Sequence, residues 1–342
     1  MAKKIEITSG SLLIGNPIMV SVTADIFSNA TLHRVKLIVK AALSPDFVEE
    51  EYSLSAPANS NDVVEFDIST VLRSAASKYK YEYATSARSY PYLAYTIKAY
   101  DEYMLNGILQ ETGEMIYNGG AKSYALMGAF TDRERYLSAS DTKDVISFTR
   151  KPVIGEVCTP GELFVYPDAV AIPMKITDTI TSGPSISVAT LEGSGTKTYE
   201  GRTIYVDPNA KNRLLFQFVN GYGVVETISA EMLEGVESSG ESEVDIVTAT
   251  SSFKGVKQNI VRRADREKVY KCSSGYINRE WAEWWANEFL GGDAFRRSGH
   301  SQCWVLLDGN WLPCTVETDD DIKLYNRAKP GLTQIEFEVR VL

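Results

Sequence analysis

Histidine is almost missing: the 342-residue chain carries 2, His33 and His300. A serine or cysteine nucleophile ordinarily needs a histidine base held beside it, and no Gly-x-Ser-x-Gly elbow leads into a helix. Triad hydrolysis is therefore not expected, and His33, at the entrance of a strand-like segment, reads as a surface residue. Cysteine is sparse as well. Cys158, Cys272, Cys303 and Cys314 lie far apart, which points to free thiols in a reducing compartment rather than a disulfide framework. With His300, the cysteines at 272, 303 and 314 could supply four soft ligands for zinc. No Cys-x-x-Cys pair or finger spacing is present, and small thiols buried in a β core are the plainer reading. No P-loop and no dinucleotide glycine fingerprint follows a strand. Asp319-Asp320-Asp321 offers oxygens for calcium without the spacing of an EF-hand loop, and reads as a charged hairpin tip that discourages edge pairing. A carboxylate pair for glycoside cleavage cannot be singled out of 45 acidic residues. No catalytic, cofactor-binding or metal-ligating residue is assigned, and no cofactor is expected.

Positive charge is also in deficit. The formal net charge is -10, so the average surface repels a polyanion and no nucleic-acid partner is expected. Arg262, Arg263 and Arg266 alternate with Asp265 and Glu267, a mixed solvated face. No run approaches the ~18–20 apolar residues of a membrane-crossing helix, so no membrane partner is expected. The opening Met1-Ala-Lys-Lys-Ile-Glu-Ile has no apolar stretch after its lysines, which sets the expectation of a protein made in the cytosol.

What is abundant is β pattern. Hydrophobic residues make up 44% and charged residues 23%, enough to bury real cores, and the length suggests two to three domains. Val35, Leu37 and Val39 alternate onto one face in 33–41, although Ile38 joins the other. Val64, Phe66 and Ile68 do so in 63–68, and Tyr95, Ile97 and Ala99 in 92–100. Period-two runs bury one face of an antiparallel sheet, and their spacing between turn-rich clusters indicates sandwich modules. Short strand candidates follow at 163–165, 171–176, 185–189, 203–206 and 214–218. One helix interrupts the first half over 69–80, with Ser69 or Thr70 as cap and Val71, Leu72, Ala75, Ala76 and Tyr79 as its apolar stripe.

A second helix is expected over 279–290. Asn278 is a good N-cap, and Gly291 suits the position just past the end. Trp281, Trp284, Trp285 and Phe289 share one face, with Glu280, Glu283, Asn287 and Glu288 largely on the rest. Asp308-Gly309 turns a hairpin, and Ile335, Phe337, Val339 and Val341 alternate to the last residue. Tyrosine numbers 19, a residue suited to sheets and subunit interfaces. The expected architecture is mainly β, with two or more β-sandwich (Ig-like) modules and a few short helices. It divides into an N-terminal module over 1–132 with one inserted helix, a linker over 133–151, a second β module over 152–250, and a C-terminal β module over 251–342 carrying the Trp-rich helix.

Three segments carry a resemblance. Phe216-Gln-Phe-Val-Asn-Gly-Tyr-Gly-Val-Val-Glu-Thr is a strand, a glycine turn and a strand. Lys271-Cys-Ser-Ser-Gly-Tyr-Ile-Asn-Arg-Glu-Trp-Ala-Glu-Trp-Trp leads into the Trp helix. Asn310-Trp-Leu-Pro-Cys-Thr-Val-Glu precedes Leu324-Tyr-Asn and the terminal Glu-Phe-Glu-Val-Arg-Val strand. This succession, over about 210–342, resembles tail and baseplate structural proteins of phages and prophages of gut Bacteroidetes, and is similar in outline to distal-tail proteins. The resemblance implies a non-enzymatic virion subunit assembled in the host bacterial cytoplasm. Its partners would be itself, in a homo-oligomeric ring, and neighbouring tail proteins. The alternative from the residues alone is a carbohydrate- or surface-binding adhesin module using exposed Trp or Tyr platforms.

Overall fold

The structure, a computed structural model, describes residues 4–9, 12–25, 31–44, 48–59, 62–130, 148–168, 180, 182–237, 243–247, 258–263, 268–290, 302–318 and 331–342. The chain is mainly β. Strands β1 (Lys4–Ser9), β2 (Met19–Thr23), β3 (Thr31–Ser44), β4 (Glu50–Pro57) and β5 (Val63–Asp67) come first, followed by helix α1 (Ser69–Ala76). Then come β6 (Arg88–Ser89), β7 (Tyr92–Leu105), β8 (Ile108–Ile116) and β9 (Ser123–Ala125). One sheet has the order β1-β2-β5, and a larger one runs β4-β3-β7-β8 with β9 also on β7. The alternation read from the sequence is the alternation of burial. Val35, Leu37 and Val39 on β3, Val64 and Phe66 on β5, and Tyr95, Ile97 and Ala99 on β7 all enter one core.

Helix α1 is shorter than 69–80 and is capped differently. Neither Ser69 nor Thr70 caps it; the Asp67 carboxylate accepts the Ser69 amide (3.0 Å) and the Ile18 amide (3.1 Å). A carboxylate just before a helix does the work of a cap and also favours the positive end of the dipole. Val71, Leu72, Ala75 and Ala76 form the buried stripe as expected, while Tyr79 packs half-buried beyond the helix end.

The middle of the chain supplies β10 (Ile154–Cys158), β11 (Leu163–Pro167), β12 (Ser185–Thr190), β13 (Gly195–Tyr199) and β14 (Arg202–Val206). They form two three-stranded sheets, β10-β14-β13 and β11-β12-β6. The second therefore borrows a strand from the N-terminal region. The candidate strand at 171–176 lies outside the described residues.

The last part is a closed barrel. Its strands are β15 (Arg213–Val219), β16 (Val225–Glu237), β19 (Lys268–Ser273), β20 (Cys303–Leu307), β21 (Asn310–Glu317) and β22 (Glu336–Val341), in the order β15-β16-β19-β22-β21-β20. A separate hairpin of β17 (Glu243–Val247) and β18 (Gln258–Arg263) stands between β16 and β19. Two barrel strands precede residue 250 and four follow it, so the sheet crosses the expected division between second and third modules. Closure is the reason: β16 pairs with β19 and β15 with β20, which leaves no edge to divide at. The turn at Asp308 (φ 50°) and Gly309 (φ 78°) has both residues in the left-handed region, as a two-residue hairpin requires.

Helix α2 (Arg279–Trp284) plugs this barrel and continues into a π-helical turn over Trp285–Phe289. Asn278 caps it, its Oδ1 accepting the Trp281 amide at 3.0 Å. Trp281, Trp284, Trp285 and Phe289 lie in the barrel core with Phe216, Phe218 and Phe337. Gly291 lies outside the described residues. No helix among the described residues is long and apolar enough to cross a membrane.

Candidate functional site

The turn between β15 and β16 is enclosed at every residue. Connections normally run over the surface, because a buried one must find partners for its backbone. Residues Asn220, Gly221, Tyr222, Gly223 and Val224 are all buried, and the partners come from three directions. The turn organises itself first: the Asn220 Oδ1 accepts the amides of Tyr222 (3.0 Å) and Val224 (3.3 Å). The N-terminal region then closes on it. Tyr81 donates its hydroxyl to the Gly223 carbonyl (2.8 Å), the Ala129 amide bonds the Gly221 carbonyl (2.7 Å), and the Tyr90 hydroxyl accepts the Val225 amide (3.1 Å). Gly128 (φ +107°) passes so close that a Cβ there would sit 2.5 Å from the Tyr222 carbonyl carbon. Only glycine fits that approach.

The second direction is the segment 148–151. The sequence places it in the linker; in the fold Phe148, Thr149 and Lys151 are buried. The Arg150 guanidinium lies 3.9 Å from the Tyr222 ring centroid, a cation–π contact. It also donates to the Ala129 carbonyl (2.6 Å) and to Glu288 (2.6 Å).

Glu288 itself is the third direction. Its other oxygen accepts the Gly221 amide at 2.7 Å, and it is 1% exposed. The sequence reading put Glu288 on the solvated side of the Trp helix. Ordinary α-helical spacing already sets Glu288 among the rings, at i+7 from Trp281, i+4 from Trp284 and i+3 from Trp285, so the sequence reading assigned it to the wrong face.

Beside this turn lies a second ionic group. Lys151 donates to Glu156 (2.5 Å) and to the Thr227 carbonyl, while Arg202 donates to the Lys151 carbonyl (2.9 Å). Glu226 takes the Thr149 hydroxyl (2.8 Å) and the Asn220 amide (3.3 Å). Burial holds the carboxyls of Glu156, Glu226 and Glu288 above the usual carboxylate range, with the nearby Lys151, Arg150 and Arg202 charges opposing the rise. Such a cluster can mark a catalytic centre. Here both oxygens of Glu226 and of Glu288 are taken by protein donors, and Lys151 and Glu156 take each other. The cluster therefore binds elements of the fold to one another.

Two further polar side chains on the barrel's outer face do the same. Gln217 makes a reciprocal pair with the Ala84 backbone (2.6 and 2.9 Å), and the Thr227 hydroxyl accepts the Val165 amide (3.1 Å).

The residues weighed for zinc fall apart differently. Cys272 and Cys314 are in the barrel core, Cys303 stands opposite Cys314 on the β20–β21 hairpin, and Cys158 belongs to a separate small cluster. His300, Asp319, Asp320, Asp321, Asp265, Arg266 and Glu267 lie outside the described residues, and no side-chain placement is described for Arg262 or Arg263. His33 stacks on Tyr103 with ring centroids 6.5 Å apart. Among the described residues no group of three His, Cys, Asp or Glu could hold a metal ion, and all four cysteines are free. Burial pushes the Cys272 thiol up to about 12 and raises those of Cys158 and Cys303 further above their ordinary value. Little thiolate then forms near neutral pH, and thiolate is the reactive species. Iodoacetamide should accordingly alkylate the native protein slowly and the unfolded protein at four sites. Fewer than four reactive thiols after unfolding without reductant would reveal a Cys303–Cys314 disulfide.

The chain is thus a mainly β protein with a plugged six-stranded barrel tied into its other sheets by a buried turn. No family model, no curated protein and no solved structure matches it.

Proposed function

We propose that this chain is a non-enzymatic structural subunit of a bacteriophage tail, baseplate or tail-like assembly. In this reading it acts through its interfaces with further copies of itself and with neighbouring tail proteins. It needs no cofactor, and it resides in the virion after assembly in the host bacterial cytoplasm. In the same reading the two N-terminal sheets, whose inner faces share one core, are an Ig-like sandwich.

The observation that carries the proposal is the buried turn 220–224. The buried Arg150, Lys151, Glu226 and Glu288 beside it are engaged in holding the N-terminal region, the segment 148–151 and the barrel together. A building block under load needs its parts in fixed relation, and such a junction provides that. The adhesin alternative rests on exposed Trp or Tyr platforms; the helix rings at 281, 284 and 285 are inside the barrel, which removes the Trp helix as such a platform.

Negative-stain microscopy and light scattering at high concentration test the proposal, on the protein alone and mixed with the products of neighbouring genes. Rings, tubes or a defined complex are expected. Monomers under both conditions would count against it.

A further inference from the structure

We propose that Cys303 and Cys314 form a disulfide site: a two-electron oxidant of the peroxide class converts this thiol pair into a cross-strand bond that fastens β20 to β21 in the barrel wall. The inference does not depend on the subunit reading.

The register brings the pair together. Strands β20 and β21 form a hairpin in which Cys303 stands directly opposite Cys314. Hydrogen-bonded and non-hydrogen-bonded pairs alternate along an antiparallel ladder. Pro313, opposite Trp304, has no N–H to give. That pair is therefore the non-hydrogen-bonded kind, and the next, Cys303–Cys314, is the hydrogen-bonded kind. Such a pair holds its Cα atoms ~5.5 Å apart, within the span that disulfides favour.

Side-chain direction agrees with the spacing. Cys314 belongs to the barrel core and Cys303 packs against it, so both side chains point inward. The Cys303 thiol donates a hydrogen bond to the Cys314 sulfur. Closing the bond asks for rotation of two side chains and for no slip of either strand.

The other two thiols are excluded as partners. Strand β22 lies between β21 and β19, where Cys272 sits. Two strand spacings of ~4.8 Å already exceed the ~7 Å between Cα atoms that a disulfide can bridge. Cys272 is also offset along β22, facing Phe337 where Cys314 faces Val341. Cys158 packs in a different cluster.

The chemistry needs peroxide and nothing else. Cys303 is the one cysteine of the four that is not fully buried, so it meets the oxidant first. Its thiolate attacks one oxygen of hydrogen peroxide, the O–O bond breaks, and the departing hydroxide takes up the thiol proton as water. The Cys314 sulfur then attacks the sulfenic acid left on Cys303. The S–O bond breaks, a second water leaves with the Cys314 proton, and the S–S bond forms. Two electrons have passed from the sulfurs to peroxide. Burial holds the Cys303 thiol well above its ordinary range, so oxidation should quicken as the pH rises.

The place of the pair gives the bond its effect. Strand β20 closes the barrel by pairing with β15 across Phe216, Gln217 and Phe218. A bond from β20 to β21 secures the strand at that seam.

Mass spectrometry of the whole chain after peroxide treatment at mildly alkaline pH tests this. The protein should lose the mass of two hydrogen atoms, and after unfolding two of its four thiols should alkylate. A non-reducing chymotryptic digest, cut at Trp304 and Trp311, should join the Cys303 and Cys314 peptides, and reductant should part them. The oxidised protein should melt a few degrees higher, because the bond restricts the unfolded chain. Cys303→Ser and Cys314→Ser should each abolish the loss of mass, while Cys272→Ser should keep it. The digest of the unaltered protein decides the pairing even where a variant fails to fold. Four alkylated thiols after peroxide, a bond to Cys272 or Cys158, or added oxygen without a cross-link would overturn the site. A lower melting temperature with the bond in place would overturn its role in securing the seam.

Discussion

Replacing Trp285 by alanine should lower the free energy of unfolding by ~3–5 kcal/mol. Trp285 is 2% exposed and packs edge-on against Phe289 (centroids 5.0 Å apart) and Trp284 (6.0 Å), and at a tilt against Phe337 (5.6 Å). Removing its ring leaves a hole lined by other rings, which cannot collapse without moving strands. The loss is large beside a typical domain stability of ~5–15 kcal/mol. Trp281 calls for a gentler substitution. Its indole Nε1 donates to the Ile154 carbonyl at 2.7 Å, so Trp281→Phe keeps most of the volume and loses about one hydrogen bond, ~0.5–1.5 kcal/mol. Val48, 86% exposed, serves as the control, since Val48→Ala should stay within ~0.5 kcal/mol. Denaturant unfolding measures all three. A near-neutral Trp285→Ala would mean the ring is not a barrel plug, and would return the helix to consideration as a binding platform.

These rings were legible in the sequence because their signal is local. Positions 281, 284, 285 and 289 fall on one helical face whatever the rest of the fold does, and a cap at Asn278 follows from residues within one turn. The same holds for β3, β5 and β7, where alternation alone names the buried residues. The junction was not legible, for an equally physical reason. Gln217, Glu226 and Thr227 read as ordinary polar positions of strands, which the pattern assigns to water or leaves undecided. In the fold they are 0–1% exposed: other parts of the chain cover the barrel's outer face over Gln217 and Thr227, while Glu226 lies on the inner face opposite Phe218 and is met there by Thr149. Nothing within a few residues of Glu226 announces Thr149, 77 positions away. Lys151 was hidden in the same way, in a stretch whose charges suggested a linker. The one local hint was the Asn-Gly-Tyr-Gly run, with two glycines where only one is needed to turn. Its second role, letting other backbone and the Arg150 guanidinium come close, is visible only in three dimensions: a Cβ on Gly221 would stand 2.3 Å from an Arg150 nitrogen.

The junction's largest single effect should come from Lys151→Met. The exposed pairs of the N-terminal sheet, such as Lys36–Glu111, contribute little, because water screens both partners. Lys151 and Glu156 have side chains 2% and 6% exposed, and breaking a buried pair by deleting one member typically costs ~3–5 kcal/mol, since the other charge is left without its counter-ion. The pH dependence identifies that cause. Burial already raises the Glu156 carboxyl above its ordinary value of 4.5 against the pull of Lys151, and removing the ammonium raises it further. A carboxyl with a raised folded pKa contributes stability that is fully present below its unfolded value and is lost as pH rises through the folded one. The gap between Lys151→Met and the parent should therefore be small near pH 4.5 and widen toward neutrality. Adding Glu156→Leu to Lys151→Met removes the stranded charge, and should recover most of the loss and flatten the pH dependence, as apolar replacements of whole buried pairs often do. Urea unfolding of parent, single and double variants at several pH values makes the comparison. A loss that is the same at every pH, or a double variant no better than the single, would show that Lys151 matters for its packing against Phe164 and Trp284 (5.3 and 5.7 Å) rather than for its charge.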